Sequence, residues 1–238
     1  MNAYDSVFDA IEKRHDISVS ADQRKLLLSY LDLLLEQNKT LNLTRIDTVE
    51  SALTLHIEDS LVALPLIDSL GVSRFCDMGS GGGFPGVPLS VVGGYQGVLI
   101  DSLSKKMRAV QNFIDTLGLG AQLSAVGLRS ELYAAEQPAS FDLVVTRALA
   151  SLPVLLELAS PLLTVGGYLL AYKGSPTDEE LSAGLSVSKK LGFSFVSSTS
   201  VEIGEERLPR TLLLYKKTSK PQIKLPRRPG LAQKSPLT

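Results

Sequence analysis

From Val72 onward, short apolar runs alternate with segments whose apolar residues recur at helical spacing. This alternation is typical of βαβ units, in which crossover helices join the strands of a mostly parallel sheet. We therefore predict a doubly wound α/β domain over residues 71–218. Its strands are predicted at 72–77, 96–101, 121–126, 141–146, 167–172, 193–200 and 210–216, and its helices near 86–92, 104–117, 129–136, 152–163 and 177–191. The last two strands should pair antiparallel, because the connection between them is too short for a crossover helix.

Segments of different character flank this domain. Residues 1–70 are predicted to form a helical N-terminal extension packed on the main domain. Within it, Ser20 is a predicted N-cap with Gln23 at the capping-box position. A further helix is predicted from Thr48 to about Leu70. Residues 219–238 are rich in Pro, Lys and Arg, and we predict a basic extended C-terminal tail rather than a packed element.

The charge of the chain is segregated along its length. Residues 1–206 hold 15 Lys and Arg against 25 Asp and Glu, whereas residues 207–238 hold 9 basic residues and no acidic one. A basic segment of this kind is typical of contact with nucleic acid, and a solvated tail is the alternative.

Composition limits the remaining classes of function. No apolar run reaches the roughly 20 residues that a membrane-spanning helix needs, and residues 1–14 contain acidic residues without an apolar signal core. We therefore expect a cytoplasmic protein that contacts no membrane, and a monomer. With one cysteine and two histidines, neither an intramolecular disulfide nor a zinc site is expected, and metal chemistry is not predicted.

A glycine-rich turn follows the first predicted strand, with the sequence Asp77-Met78-Gly79-Ser80-Gly81-Gly82-Gly83-Phe84-Pro85-Gly86. In a doubly wound sheet such a turn lies at the carboxyl end of its strand, where glycines let the backbone approach a ligand. Alone, the pattern also fits an ordinary tight turn. Asp101, about twenty residues further on, ends the second strand, where a carboxylate accepts hydrogen bonds from the hydroxyls of a ribose. A helix N-cap is the alternative role for Asp101, but the coincidence with the turn favours a nucleoside-type ligand.

The turn itself favours one class of ligand. Pyrophosphate binding requires glycines that open directly into a helix, with no acidic group where the phosphate charge lies. Here Asp77 precedes the turn and Pro85 interrupts it. An acidic site suits the ammonium group of a methionine moiety better than a phosphate, so we favour S-adenosylmethionine over NAD or ATP.

Further polar side chains follow other predicted strands. Ser130 and Glu131 come after the third strand, where they either reach an adenine edge or simply begin a helix. Arg147 ends the fourth strand and Lys173 the fifth. Because the carboxyl ends of parallel strands share one edge of the sheet, we expect both cations on the same edge as the glycine turn.

Residues on three other segments are candidates for contact with a substrate. His56, Asp59 and Ser60 share one face of the helix predicted before the first strand, and they either border the active crevice or form a surface hydrogen-bonded trio. Cations in the first turn of the helix after Asp101 oppose the helix dipole, which phosphate contact would compensate; a solvated cluster is the alternative. Arginines in the tail suit folded RNA or duplex phosphate. The predicted substrate- or RNA-binding residues are His56, Asp59, Lys105, Lys106, Arg108, Lys173, Arg227 and Arg228.

Two features that the sequence lacks narrow the choice of methyl acceptor. Methylation of a pyrimidine carbon through a covalent adduct needs a thiolate, yet Cys76 lies within the first predicted strand. Methylation of an exocyclic amine commonly uses a polar-Pro-Pro-aromatic turn after the fourth strand, where this chain has Thr146-Arg147-Ala148-Leu149. The acceptor most easily accommodated is an atom that is already nucleophilic, such as nitrogen 7 of guanine. For that atom the enzyme need only align the reactants and exclude water.

An ordered set of motifs along nearly the whole chain resembles the RsmG (GidB) family, the guanine-N7 methyltransferases of small-subunit ribosomal RNA. The glycine turn continues into Val87-Pro88-Leu89 as in that family. The other matching motifs are Asn42-Leu43-Thr44, His56-Ile57-Glu58-Asp59-Ser60-Leu61, Asp101-Ser102-Leu103-Ser104-Lys105-Lys106, Arg147-Ala148, Lys173-Gly174 and Pro226-Arg227-Arg228-Pro229-Gly230.

The resemblance implies a class I S-adenosylmethionine-dependent methyltransferase with a Rossmann-like, seven-stranded, mostly parallel sheet. It further implies methyl transfer to nitrogen 7 of a specific guanine in the 530 loop of 16S ribosomal RNA, with that RNA or the small ribosomal subunit as partner. Arg147 is then the candidate catalytic residue, at the junction of cofactor and substrate, and no general base is assigned. The expected cofactor-binding residues are Asp77, Gly79, Gly81, Phe84, Asp101, Ser130, Glu131 and Arg147.

One position departs from the family, which usually has Ala where this chain has Ser130. Since the backbone makes the implied contact, we expect little change. The alternatives that remain open are a methyltransferase acting on a small molecule or on another RNA, and a non-catalytic RNA-binding protein.

Overall fold

The computed structural model describes residues 3–238, which contain one seven-stranded sheet. The strands are β1 (Arg74–Met78), β2 (Gln96–Ile100), β3 (Leu123–Val126), β4 (Phe141–Arg147), β5 (Leu163–Lys173), β6 (Phe193–Ile203) and β7 (Leu208–Lys217). Their order is β3-β2-β1-β4-β5-β7-β6, and β7 runs antiparallel to both of its neighbours. The predicted mostly parallel α/β sheet and its antiparallel last pair are therefore confirmed.

Helices cover both faces of the sheet. They are α1 (Asp5–His15), α2 (Ala21–Leu41), α3 (Val49–Ala52), α4 (Asp59–Leu61), α5 (Leu64–Asp68), α6 (Gly86–Gly93), α7 (Ser104–Thr116), α8 (Ser130–Glu136), α9 (Leu152–Ala159), α10 (Asp178–Ser188) and α11 (Leu231–Lys234), with a π-helical turn at Leu53–Glu58. Among the described residues, no helix is both long enough and apolar enough to cross a bilayer.

Two hydrophobic cores lie on opposite faces of the sheet, because successive strand residues point to opposite sides. Phe75 belongs to the core that α1, α2, α6 and α7 complete, whereas Cys76 belongs to the core formed with α8, α9, α10 and α11. Buried on both faces, the central strands consist of near-continuous apolar runs. The N-terminal helices thus supply one face of the main core. Helix α2 begins with the predicted capping box, in which the Ser20 and Gln23 side chains each accept from the other's backbone N–H, at 3.3 and 2.8 Å.

The helix predicted from Thr48 to Leu70 is broken in the structure, so that prediction was wrong in detail. Thr48 caps α3, the chain then forms the π-helical turn, and α4 ends at Leu61. A separate helix, α5, begins one residue before Pro65. Because proline has no N–H to donate and its ring clashes with the preceding turn, the earlier helix cannot continue through that position.

The basic tail is packed, in contrast to the prediction of an extended, unpacked segment. Residues 219–238 have little regular structure apart from α11, but Ala232 is buried in the core beside α9. Arg227 forms a bidentate ion pair with Glu157 of α9, at 2.7 and 2.5 Å. A composition rich in Pro and basic residues did not indicate this packing, because the partner is an acidic side chain in a distant helix.

Candidate functional site

The carboxyl ends of the parallel strands bring the predicted residues to one edge of the sheet. Asp77 lies at the end of β1, Asp101 directly follows β2, and Arg147 ends β4. Ligands of doubly wound sheets bind at this edge, where the strand order reverses. In this chain the reversal lies between β1 and β4, which pair directly.

Asp77 organises the glycine turn from inside the protein. Its Oδ2 accepts hydrogen bonds from the Ser80 hydroxyl at 2.7 Å and from the Gly86 N–H at 2.8 Å. Its Oδ1 is buried and has no hydrogen-bond partner among the described residues. Buried polar atoms are nearly always satisfied, so this oxygen is suited to a group that the protein itself does not contain.

Burial raises the pKa of Asp77 to about 6, against an ordinary value of 3.8. Between these values the native state binds more protons than the unfolded chain, so the contribution of Asp77 to stability falls as the pH rises and is fully lost above about pH 6. Relative to the wild type, Asp77→Asn should therefore gain roughly 2 to 3 kcal/mol in unfolding free energy between pH 4 and pH 7. Urea unfolding of both proteins at each pH measures this, and a constant difference would contradict it.

Phe84, a predicted cofactor residue, is held by rings from two other segments. Tyr30 of α2 packs edge-on against it, with ring centroids 5.8 Å apart, and donates its hydroxyl to the Gly82 carbonyl at 2.8 Å. His56 stacks on Phe84 with centroids 4.2 Å apart and an interplanar angle of 4°. The turn is therefore fixed from one side by α2 and from another by the π-helical turn.

His56 is a neutral hydrogen-bonding link. Arg147 Nη2 lies 3.3 Å from His56 Nδ1, and Thr44 Oγ1 lies 2.8 Å from Nε2. Because a guanidinium only donates, Nδ1 accepts, and the ring proton belongs on Nε2, which donates to Thr44. Burial and then the charge of Arg147 lower the pKa of His56 to about 3, so the ring is neutral at neutral pH. Both ring nitrogens are thus occupied within the protein.

Asp59 is shared by two arginines. Its Oδ2 accepts from Arg147 Nη1 at 3.0 Å and its Oδ1 from Arg210 Nε at 2.8 Å. Arg147 also donates to the Leu55 carbonyl at 3.0 Å. His56 and Asp59, the residues predicted to share a helix face, therefore meet at the Arg147 guanidinium. Both are buried, which excludes the surface-trio interpretation.

Arg147 lies beneath an open crevice of about 370 Å³. Asp59, Ala148, Gly174 and Arg210 also line it. The predicted substrate residue Lys173 borders this crevice as well, but its ammonium donates to Glu180 at 2.6 Å and to the Ala150 carbonyl at 2.8 Å. Lys173 therefore links Ala150 to Glu180 of α10 at the side of the crevice.

A second, smaller cavity of about 60 Å³ adjoins the glycine turn. The predicted cofactor residues Gly79, Asp101, Ser130 and Glu131 line it together with Gln233. Asp101 accepts from the Gly81 N–H at 3.1 Å and from the Leu103 N–H at 2.9 Å. These contacts link the turn to the end of β2 while leaving further lone pairs on the carboxylate.

The predicted RNA-binding cations divide into two groups. Lys105 and Arg108 are exposed on α7, and the Lys106 ammonium lies 3.4 Å from the Leu43 carbonyl, one residue before Thr44. In the tail, Arg228 is exposed, whereas Arg227 is neutralised by Glu157. The structure therefore brings Lys106 toward the site, leaves Lys105 and Arg108 exposed on α7, and uses Arg227 in an ion pair within the fold.

The structure also assigns site contacts to residues that no motif had singled out. Tyr30, Glu157 and Gln233 belong to none of the predicted site motifs. Leu149 lines the small cavity, and a Cβ added at Gly79 would lie 2.7 Å from its side chain. These contacts join distant segments, and no local pattern in the sequence signals them.

Comparison with known proteins gives one consistent result. The family model described as GidB, rRNA small subunit methyltransferase G, matches residues 23–208. The chain is 37% identical over 228 residues to the ribosomal RNA small subunit methyltransferase G of Desulfitobacterium hafniense, covering 94% of each protein. It is 35% identical over 240 residues to the protein of the same name from Bacillus velezensis, covering 100% of this chain and 99% of the relative. These matches confirm the resemblance drawn from the motifs.

A solved structure from Klebsiella pneumoniae, described provisionally as an O-methyltransferase, aligns with a TM-score of 0.57 at 14% identity. The alignment covers 91% of this chain and 98% of the other. At that identity the likeness extends to the fold, which is that of class I methyltransferases.

Proposed function

Because this chain belongs to the GidB family of rRNA small subunit methyltransferases, we propose that it methylates nitrogen 7 of a guanine in the 530 loop of 16S ribosomal RNA. The family assignment makes the chain an rRNA methyltransferase. One geometric observation supports the finer proposal. Residues Arg147 to Leu149 lie between the cavity beside the glycine turn, which Leu149 lines, and the open crevice, which Arg147 and Ala148 line. A cofactor on one side and a base on the other would meet at Arg147. Such an enzyme would work in the cytoplasm, where ribosomal RNA is processed.

The residues at the glycine turn fit S-adenosylmethionine. The unpartnered Asp77 oxygen suits the ammonium group of the methionine moiety, and Asp101 suits the ribose hydroxyls. Ser130 and Glu131 lie at the adenosine end. When bound, S-adenosylmethionine supplies an electrophilic methyl group on its sulfonium. Phe84 and His56 stack on each other beside the turn, and this buried pair would help to keep water from the reacting atoms.

The acceptor side favours an atom that needs no deprotonation. Both nitrogens of His56 are engaged, and Asp59 is held between two guanidinium groups. Neither side chain is poised to remove a proton from a substrate. Nitrogen 7 of guanine carries its own lone pair, so alignment in the crevice is sufficient. The crevice volume of about 370 Å³ lies within the ordinary range for small-ligand sites.

Methyl transfer can be tested directly. Incubation with S-adenosylmethionine labelled in its methyl group should label a single guanine in unmodified small-subunit RNA, supplied naked, as an assembly intermediate or as the complete subunit. Chemical cleavage at 7-methylguanine would locate the base. The absence of label in all three substrates would overturn the proposal, and label at an exocyclic amine would redirect it to another acceptor.

The cations of α7 are expected to contact RNA phosphates. Replacing Lys105 and Lys106 together with Gln should weaken RNA binding roughly tenfold at 0.1 M salt and reduce the slope of log K against log salt by about 1 to 2. Fluorescence anisotropy with a labelled RNA fragment at several salt concentrations measures both quantities.

A matched control exists beside β6, which lies at the other end of the strand order from β3. Lys189 and Lys190 form another adjacent pair, which precedes the start of β6. Their double replacement by Gln removes the same charge and should leave the salt slope unchanged. Equal losses from both pairs would mean that the effect comes from net charge and not from the α7 surface.

A further inference from the structure

The segment from Arg227 to Ser235, here called the C-terminal strap, is fastened at its ends and its middle. Arg227 pairs with the buried Glu157 and also donates to the Ser235 carbonyl at 2.9 Å, which closes the strap on itself. The buried Gly230 N–H donates to Glu131 Oε1 at 2.6 Å. Ala232 is 1% exposed against the core. The strap is thus a folded element of the domain.

The strap also contacts the cofactor site. Glu131, which accepts from Gly230, lines the small cavity, and Gln233 lines it from the strap itself. Gln233 is exposed at the mouth, and its amide offers both a donor and an acceptor toward the cavity. The adenosine end of the pocket is therefore bounded by α8 on one side and by the strap on the other.

The cavity between them is narrow in this structure. Its volume of about 60 Å³ lies well below the roughly 300–1,000 Å³ of ordinary ligand pockets. If adenosine is to be enclosed here, one boundary has to move. Asp101 and Ser130 are carried by the sheet edge and α8, whereas the strap is a short segment held to the domain by one ion pair, one backbone hydrogen bond and one small apolar contact.

We propose that the C-terminal strap is the movable wall of the S-adenosylmethionine pocket, which opens to admit the adenosine end and then closes over it with Gln233 at the mouth. This inference rests on the proposed function, because it takes that cofactor as the ligand. Arg227 and Glu157 act as the latch that returns the strap to its closed position. Closing walls of this kind retain bound ligands chiefly by slowing dissociation.

The test measures binding of S-adenosylhomocysteine without RNA. In wild type, the ligand should protect the amides of residues 228–235 from hydrogen exchange. Gln233→Ala should dissociate the ligand about fivefold faster. Opening the latch with Arg227→Gln and Glu157→Gln together should raise Kd about tenfold and abolish the protection. The double variant is used because Arg227→Gln alone would leave a buried, unpaired carboxylate.

Arg228→Gln is the matched control, since it removes the same charge from an exposed neighbour and should leave Kd and exchange unchanged. Thermal unfolding of each variant separates a loosened strap from an unfolded protein. If wild type binds the ligand but shows no protection of 228–235, or if the latch variant keeps its Kd while folded, the strap proposal is overturned. If wild type binds no S-adenosylhomocysteine at all, the proposed function fails first.

Discussion

Arg147→Gln is expected to lower kcat/KM for RNA methylation about 100-fold while leaving the protein folded. Arg147 joins Asp59, His56 and the Leu55 carbonyl beneath the crevice, and its guanidinium carbon lies 5.8 Å from the centre of the Phe84 ring. Without it, the π-helical turn loses its hydrogen bonds to Arg147 at the end of β4. Leu55 of the turn and Ala148 after β4, which both line the crevice, then lose their alignment. A misplacement of about 1 Å is enough for a loss of this size.

The control for Arg147 is Arg24, which is equally buried but lies among the N-terminal helices. Its side chain is 16% exposed against 15% for Arg147, and it pairs with Asp9 and Glu12. Arg24→Gln should lower stability comparably and leave kcat/KM within about twofold of wild type. Arg147→Lys retains the charge but not the three directions of donation, so it should remain at least tenfold impaired. Full activity in Arg147→Lys would reduce the role of Arg147 to charge alone.

Gly83→Ala is expected to destabilise the protein by about 4 kcal/mol, the largest stability effect among simple glycine replacements in the turn. Gly83 has φ +93°, a conformation that side chains rarely adopt, and its added Cβ would overlap the Tyr30 hydroxyl. Backbone strain contributes roughly 1 to 3 kcal/mol and overpacking a similar amount. Equilibrium unfolding in urea measures the loss.

Two comparison variants separate these contributions. Gly94 has φ +74° with nothing within 4 Å of an added Cβ, so Gly94→Ala reports backbone strain without overlap and should lose only about 1 kcal/mol. Adding Tyr30→Phe to Gly83→Ala removes the overlapping oxygen and should restore part of the loss, even though it removes the hydrogen bond to the Gly82 carbonyl. If all three proteins were equally destabilised, the overlap would have no part in the effect.

The placement of the main site residues could be predicted because it follows from topology. Once the alternation of strands and helices indicates a parallel sheet, residues that end strands must share one edge. The topology alone brings Asp77, Asp101 and Arg147 together at that edge. The capping box at Ser20 was predictable for a similar reason, since it depends on residues three positions apart.

Contacts between distant segments could not be predicted. The apolar positions Leu53, Ile57 and Leu61 fit an ordinary α-helix, so nothing in their spacing indicated the π-helical turn. That turn brings His56 onto Phe84. The two arginines of the tail show the same limit. Arg227 and Arg228 have the same side chain and adjacent positions, and only the position of Glu157 in the fold distinguishes them. Such pairings depend on the packed geometry of the whole domain.

The position of β7 has a consequence for the order in which the chain folds during synthesis. Strand β6 bonds to β7 and not to β5, so the newly made β6 has no neighbouring strand until residues 208–217 have been translated and released. The strap emerges later still. Because domains acquire their structure as the chain is delivered, the sheet can be completed only after β7 has emerged, and the pocket wall only after the sheet.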